Sequence, residues 1–201
     1  MEKRTIAVFD FDGTITKKDT FTEFIKFTRS KLGFILGFVV CIPYILSYKW
    51  KILPNYVAKQ KIFSYFFKGM KYSAFCEYSD KFSAVIDTFI REETITKLRS
   101  HQKQGHKIYV ISAGGEEWIK YWCKKNGIDN VLATKSETDS NDCLTGRFLN
   151  KNCYGEEKVR RLLEVEPDRE NYILYAYGDS AGDIPMINFS DHGEFVNNLR
   201  V

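Results

Sequence analysis

The sequence predicts an α/β fold: a Rossmann-like three-layer core with a mainly parallel sheet, plus an inserted α-helical subdomain. Three observations predict it. Short apolar runs at residues 6–9, 107–111 and 172–177 each end on a polar or glycine-rich segment, as buried strands do. Helix-period segments separate the strands from residue 92 onward, which is the pattern of parallel strands joined by crossover helices. Between the first and second runs lie about 70 residues of helical pattern with no strand signal. The expected division is therefore a core domain of residues 1–16 and 92–201, with residues 17–91 as a helical cap.

In chain order, Thr5–Phe9 is expected as the first strand. Asp19-Thr20, followed by Glu23, reads as a helix start. Aromatic stripes follow at helical spacing: Phe21, Phe24, Ile25 and Phe27, then Ile62, Phe63, Phe66 and Phe67, then Phe75, Phe82, Val85, Ile86, Phe89 and Ile90. Such stripes face a core. Residues 92–104 are expected as a helix stopped by Gly105, and Lys107–Ile111 as a strand leading to Ser112. Residues 116–126 form the next predicted helix and 131–133 a short strand. The turn residues of 139–142 and 145–146 place a hairpin within 134–148. A helix at 156–166, a strand at 172–177, a short helix at 183–188 and a strand at 193–196 complete the alternation.

Composition narrows the function. The 201 residues are 44% hydrophobic and 28% charged, which is globular. A net charge of +4, with no Lys/Arg block of five or more, excludes a dedicated nucleic-acid binder. The five cysteines include no CxxC pair, so no disulfide framework or zinc site is expected. The charged opening without a signal-like apolar run predicts a cytosolic protein. Leu32–Tyr48 is the exception, with 17 uncharged residues between two lysines. Its length and its Pro43 favour a buried helix pair of the cap over a membrane span. The other reading is an apolar wall or interfacial segment serving a lipid-like substrate, peripheral to the inner face of the membrane.

The chemistry sits where predicted strands end. Asp10 and Asp12 lie one residue apart in Phe9-Asp10-Phe11-Asp12-Gly13-Thr14, and strand alternation would put them on one side. Two such carboxylates imply a shared proton or a bound cation. Ser112, Ala113 and Gly114 precede a predicted helix and make a candidate phosphate cradle. Lys158 lies in the first turn of a helix, where a lysine opposes the dipole and needs an anionic partner. Asp179 ends a strand and Asp183 opens the following helix, a hard-oxygen set suited to Mg²⁺.

As a set, DFDGT, VISAGG, GEEK and GDSAGD resemble the four ordered motifs of the haloacid dehalogenase-like phosphatase superfamily. The helical insertion after the first motif resembles its phosphoserine-phosphatase-like branch, and the third and fourth motifs look like those of phosphatidylglycerophosphatase C-type hydrolases. The resemblance implies that Asp10 is the nucleophile and Asp12 the acid/base. It implies Mg²⁺ held by Asp10, the backbone carbonyl of Asp12, and Asp179, with Asp183 behind the metal. Ser112, Ala113, Gly114 and Lys158 would hold the phosphoryl oxygens. Gly182 and Ala113 depart from the phosphoserine phosphatase pattern. Asp19 stands in place of a longer substrate-reading glutamate, and no cap arginine presents itself as a carboxylate reader. These departures count against phosphoserine, and the apolar cap around Leu32–Leu46 makes a lipid-like phosphomonoester such as phosphatidylglycerophosphate the expected substrate. The alternatives are a small soluble phosphomonoester and, from another class, a non-catalytic phosphate binder.

Overall fold

The computed structural model describes residues 3–196. Five parallel strands form one sheet in the order β3-β2-β1-β6-β7. They are β1 (Arg4–Phe9), β2 (Lys107–Gly115), β3 (Asn130–Thr134), β6 (Tyr172–Gly178) and β7 (His192–Phe195). The central strand β1 is an unbroken apolar run because both its faces are covered: Ile6, Ala7, Val8 and Phe9 have no exposure. One face packs on α5 (Glu92–Lys103) and α6 (Glu116–Lys125), through residues such as Leu98 and Trp118. The other packs on α7 (Glu156–Val165) and α8 (Ile184–Phe189), through Leu162 and Met186. This is the expected three-layer α/β core, with predicted element ends in the core shifted by one or two residues except at the end of β2.

One shift matters. β2 does not stop near Ser112 but continues to Gly115, with an irregular register against β3 between Ile111 and Gly115. Ser112 and its small neighbours are therefore a bulged strand end, not a loop.

The helical segment holds α1 (Thr20–Thr28), α2 (Lys31–Lys49), α3 (Asn55–Phe67) and α4 (Tyr72–Ile86). The chain leaves and re-enters the core side by side, tied by Arg91 N–H to Ile15 O and Lys17 N–H to Phe89 O, both 2.8 Å. Asp19 caps α1 as expected, accepting from Thr22 N–H at 2.7 Å. Phe24 stacks on Trp118 of α6 at 4.7 Å between centroids, and Trp118 Nε1 donates to Thr20 Oγ1 at 2.9 Å. Fully burying an aromatic such as Phe24 contributes about 2–3 kcal/mol. The predicted hairpin is β4 (Ser136–Thr138) paired with β5 (Leu144–Phe148). It reaches across to the helical segment, exchanging two 2.8 Å backbone hydrogen bonds between Leu144 and the Gly69–Met70 turn.

The expectation of a buried helix pair at Leu32–Tyr48 is overturned. The run is one helix, and only Gly37 and Cys41 of α2 are buried. Pro43 sits inside it on the exposed side and removes one backbone donor from the helix ladder. The seated stripe, Phe34, Gly37, Phe38, Cys41 and Ile45, packs toward the hydrophobic core. Gly37 is required there, because a Cβ would lie 2.3 Å from the Phe66 ring of α3.

Candidate active site

Strand order runs outward in opposite directions on the two sides of β1, with β2 and β3 on one side and β6 and β7 on the other, and this switch point is where open parallel sheets bind ligands at their carboxyl ends. Asp10 follows β1 and Asp179 follows β6, and the two strands are hydrogen-bonded neighbours. Asp10 N–H donates to Tyr177 O at 2.9 Å, which locks the end of β1 to β6. β1 ends at Phe9, so the turn through Phe11 and Asp12, not strand alternation, brings both acids to one cavity.

The Lys158 ammonium is buried and bridges Asp10 Oδ1 at 2.6 Å and Asp183 Oδ1 at 2.5 Å. This is the partner its first-turn position called for. Burial disfavours the charge on Lys158, but Asp10 and Asp183 hold it protonated, above the normal lysine range. Asp183 Oδ2 accepts from Asp179 N–H, Ser180 N–H and Ser180 Oγ at 3.1, 3.0 and 2.9 Å. Asp183 is thus saturated by fixed donors and braces the Asp179 turn.

One carboxylate oxygen from each of Asp10, Asp179 and Asp183 lies within 4.8 Å of the others. Burial raises the pKa of Asp10 and of Asp179, with Asp183 adding repulsion to both. Three crowded carboxylates against one lysine leave negative charge that a hard divalent cation would neutralise, so the donor set fits Mg²⁺. The Asp12 carboxylate instead accepts from Thr20 N–H at 2.8 Å. Burial first, and then the Asp19 charge, push Asp12 up to about 6. An acid in that range can give and take a proton near neutral pH.

Gly13 stands at φ +86°, and a Cβ there would lie 2.1 Å from Asp179 Oδ2. The glycine of DFDGT is therefore needed twice, for its backbone angle and for the approach of the Asp179 carboxylate. Ser112 is buried, and its Oγ accepts from Gly114 N–H at 2.9 Å, holding the bulge in shape beside the acids. Ala113 lines the same cavity, and Gly114 lies close to Asp12, since a Cβ on it would be 3.1 Å from Asp12 Oδ2.

Two contributors escaped the sequence reading. Thr14 Oγ1 lies 3.4 Å from Asp10 Oδ2 and 3.2 Å from Asp179 Oδ1, bridging the two strand ends. Lys59 of α3 donates to Ala113 O at 2.8 Å and lies over the Phe21 ring. Its positive charge pulls down the Asp12 pKa. The signal was present: Lys59 sits three and four residues before Ile62 and Phe63, on a stripe where a solvated lysine is out of place.

The cavity these residues share has a volume of about 410 Å³. Its floor is polar, with Asp10, Asp12, Ser112 and Lys158, and its roof is formed by Phe21, Phe38, Ile45, Tyr48, Ala58 and Ile62.

Comparison with known proteins agrees with this architecture. CicA of Caulobacter vibrioides is 27% identical over 188 residues, covering 92% of this chain and 83% of that protein. A histidinol-phosphatase of Neisseria meningitidis is 30% identical over 105 residues, 50% of this chain and 47% of that protein. Among solved structures, a Bordetella pertussis protein of unknown function superposes with a TM-score of 0.80 at 18% identity, over 93% of this chain and 87% of that one. A phosphoserine phosphatase solved as a phospho-aspartyl intermediate analogue gives 0.60 at 20% identity, over 96% and 86%. Residues 7–188, from the first strand to the last helix, match the haloacid dehalogenase-like hydrolase profile, and the chain belongs to that family.

Proposed function

We propose that the protein is a Mg²⁺-dependent phosphomonoester hydrolase working through an aspartyl-phosphate. The observation that carries this reading is Asp10, buried on the cavity floor and held at 2.6 Å by Lys158, with Asp12 opening on the same cavity. Residues 1–16 and 92–201 serve as the catalytic core and 17–91 as the cap that covers it.

Asp10 attacks phosphorus in line, and the phosphorus–oxygen ester bond breaks. Asp12 gives its proton to the departing oxygen. The same carboxylate then takes a proton from water, whose oxygen attacks phosphorus and releases Asp10 and inorganic phosphate. Asp10, the Asp12 carbonyl and Asp179 would hold Mg²⁺, and Asp183 orients Asp179 and Lys158. The ion supplies positive charge against the phosphoryl oxygens when bound. Ser112, the Ala113 and Gly114 amides, and Lys158 position the transferring group.

The apolar roof favours an amphiphilic phosphomonoester whose leaving group carries hydrocarbon. A small soluble ester is the second reading, supported by the names of two relatives, a histidinol-phosphatase and a phosphoserine phosphatase.

The test is phosphate release from soluble and detergent-dispersed phosphomonoesters, with Mg²⁺ or with chelator. Asp10→Asn should lower turnover on the order of 10⁴-fold or more. Turnover by Asp10→Asn at the wild-type rate would refute the nucleophile. No metal-dependent turnover by the wild type on any ester would move the assignment to a phosphate binder.

A further inference from the structure

We propose that the outer face of α2 docks this protein on an anionic lipid bilayer, with the helix lying in the plane of the surface. The inference extends the amphiphilic-substrate reading above, yet it rests on a different face of the molecule. Residues 34, 37, 38, 41 and 45 seat the helix on the protein. The opposite positions are apolar as well: Leu32, Ile35, Leu36, Val39 and Val40 are each more than half exposed. Tyr44 and Tyr48 are exposed in the last turns of the helix, and Trp50, 69% exposed, and Ile52 follow past its end. A contiguous apolar face of this kind marks an interaction site. A helix apolar on all sides belongs in a core or in contact with lipid, and among the described residues no core covers this face.

Charge selects the occupant. From residue 24 to residue 76 the chain has nine Lys and Arg and no Asp or Glu. The remaining residues hold 21 basic against 26 acidic side chains, so they carry −5 while this segment carries +9. The overall +4 conceals the division. Lys31 and Lys49 bracket the helix and Lys51 follows it, all exposed. Apolar side chains flanked by lysines, with Trp and Tyr at the boundary, suit the interface of a bilayer bearing anionic lipid. A second copy of the chain would bring like charges together on this face.

The helix is about 28 Å long at 1.5 Å per residue, long enough to cross a bilayer. Its inner stripe is seated on the protein, however, so it lies along the surface. Phe38, Ile45 and Tyr48 of the same helix roof the catalytic cavity. A docked α2 therefore places the cavity beside lipid phosphates.

The test is co-sedimentation of the full chain with vesicles of phosphatidylcholine and phosphatidylglycerol in equal parts, against phosphatidylcholine alone. Binding should require phosphatidylglycerol, weaken in high salt, and shift Trp50 emission to the blue. Lys49→Glu with Lys51→Glu should weaken binding at least about 25-fold, roughly fivefold for each positive charge lost and more for the negative charges gained. Leu36→Asp with Val40→Asp should weaken it at least about tenfold. Both pairs should retain wild-type turnover of a soluble ester, since none of the four residues lines the cavity.

No binding at low salt, or binding unaffected by Leu36→Asp with Val40→Asp, overturns the proposal. So does a wild-type dimer that this pair converts to monomer, because a second copy then covers the face. Resistance to alkaline carbonate extraction overturns the in-plane orientation in favour of a spanning helix. Asp10→Asn should still bind vesicles. A wild type that binds vesicles but hydrolyses no ester would sink the catalytic assignment and leave the docking surface standing.

Discussion

The floor and the roof of the cavity are built on opposite principles. On the floor, buried charges have fixed partners: Lys158 bridges Asp10 and Asp183, and Asp183 also takes three donors from the Asp179–Ser180 turn. On the roof, Phe38, Ile45 and Tyr48 come from a helix whose far side no described residue covers. A preorganised floor can serve one reaction on many esters, because the phosphoryl group is common to all of them. On the function proposed above, the roof meets only the leaving group, and selection between substrates falls to the helical segment.

Removing the floor's cation is the strongest way to break this contrast. Lys158→Met leaves the Asp10 and Asp183 carboxylates facing each other in a buried site. Breaking a buried ion pair costs about 3–5 kcal/mol, or roughly 10 °C in melting temperature for a chain of this size. Turnover should fall by about 10²-fold or more with it. Mg²⁺ should restore part of the melting temperature, because it neutralises the same carboxylates. A variant that melts with the wild type in chelator would show that the floor does not depend on this compensation.

The roof should respond differently. Ile45 is partly buried, packs against the core and lines the cavity. Ile45→Ser should raise KM for a long-chain phosphomonoester about fivefold, the effect of losing about 1 kcal/mol of apolar contact, with kcat little changed. A short-chain ester, which does not reach the roof, should lose much less. Equal losses on both esters would place the leaving group elsewhere and erase the division of labour.

The contrast also governs what could be read in the chain. Asp10, Asp12, Ser112, Lys158, Asp179 and Asp183 were legible as candidates because they stand where apolar runs stop or a helix begins, and both kinds of boundary show in the sequence. The outer layer was harder. An apolar run of 17 residues reads as buried because it normally is, and α2 has no polar face to betray its exposure. The continuation of β2 through Ala113-Gly114-Gly115 escaped because small residues there look like a loop, whereas irregular pairing with β3 keeps them extended. The place of Lys59 on the Ile62–Phe63 stripe marked it as an unusual lysine, but not as a site residue, because its partner, Ala113 O, is 54 positions away. The acid-free stretch 24–76 was visible throughout, but only to a count made by segment.

Asp19 stands where floor and roof meet, and it offers the smallest and sharpest test. It accepts from Thr22 N–H at the start of α1, and its charge raises the pKa of Asp12 across the cavity. Losing an N-cap side chain costs about 1 kcal/mol, so Asp19→Ala should lower the melting temperature by a few degrees. Asp19→Asn retains a capping oxygen and should melt within a degree or so of the wild type. The two variants separate the structural duty from the charge. If turnover falls only in Asp19→Ala, the residue serves by holding α1 under the roof. If Asp19→Asn loses turnover while its melting temperature holds, the charge acts on the floor, and the boundary between the two regions runs through this residue.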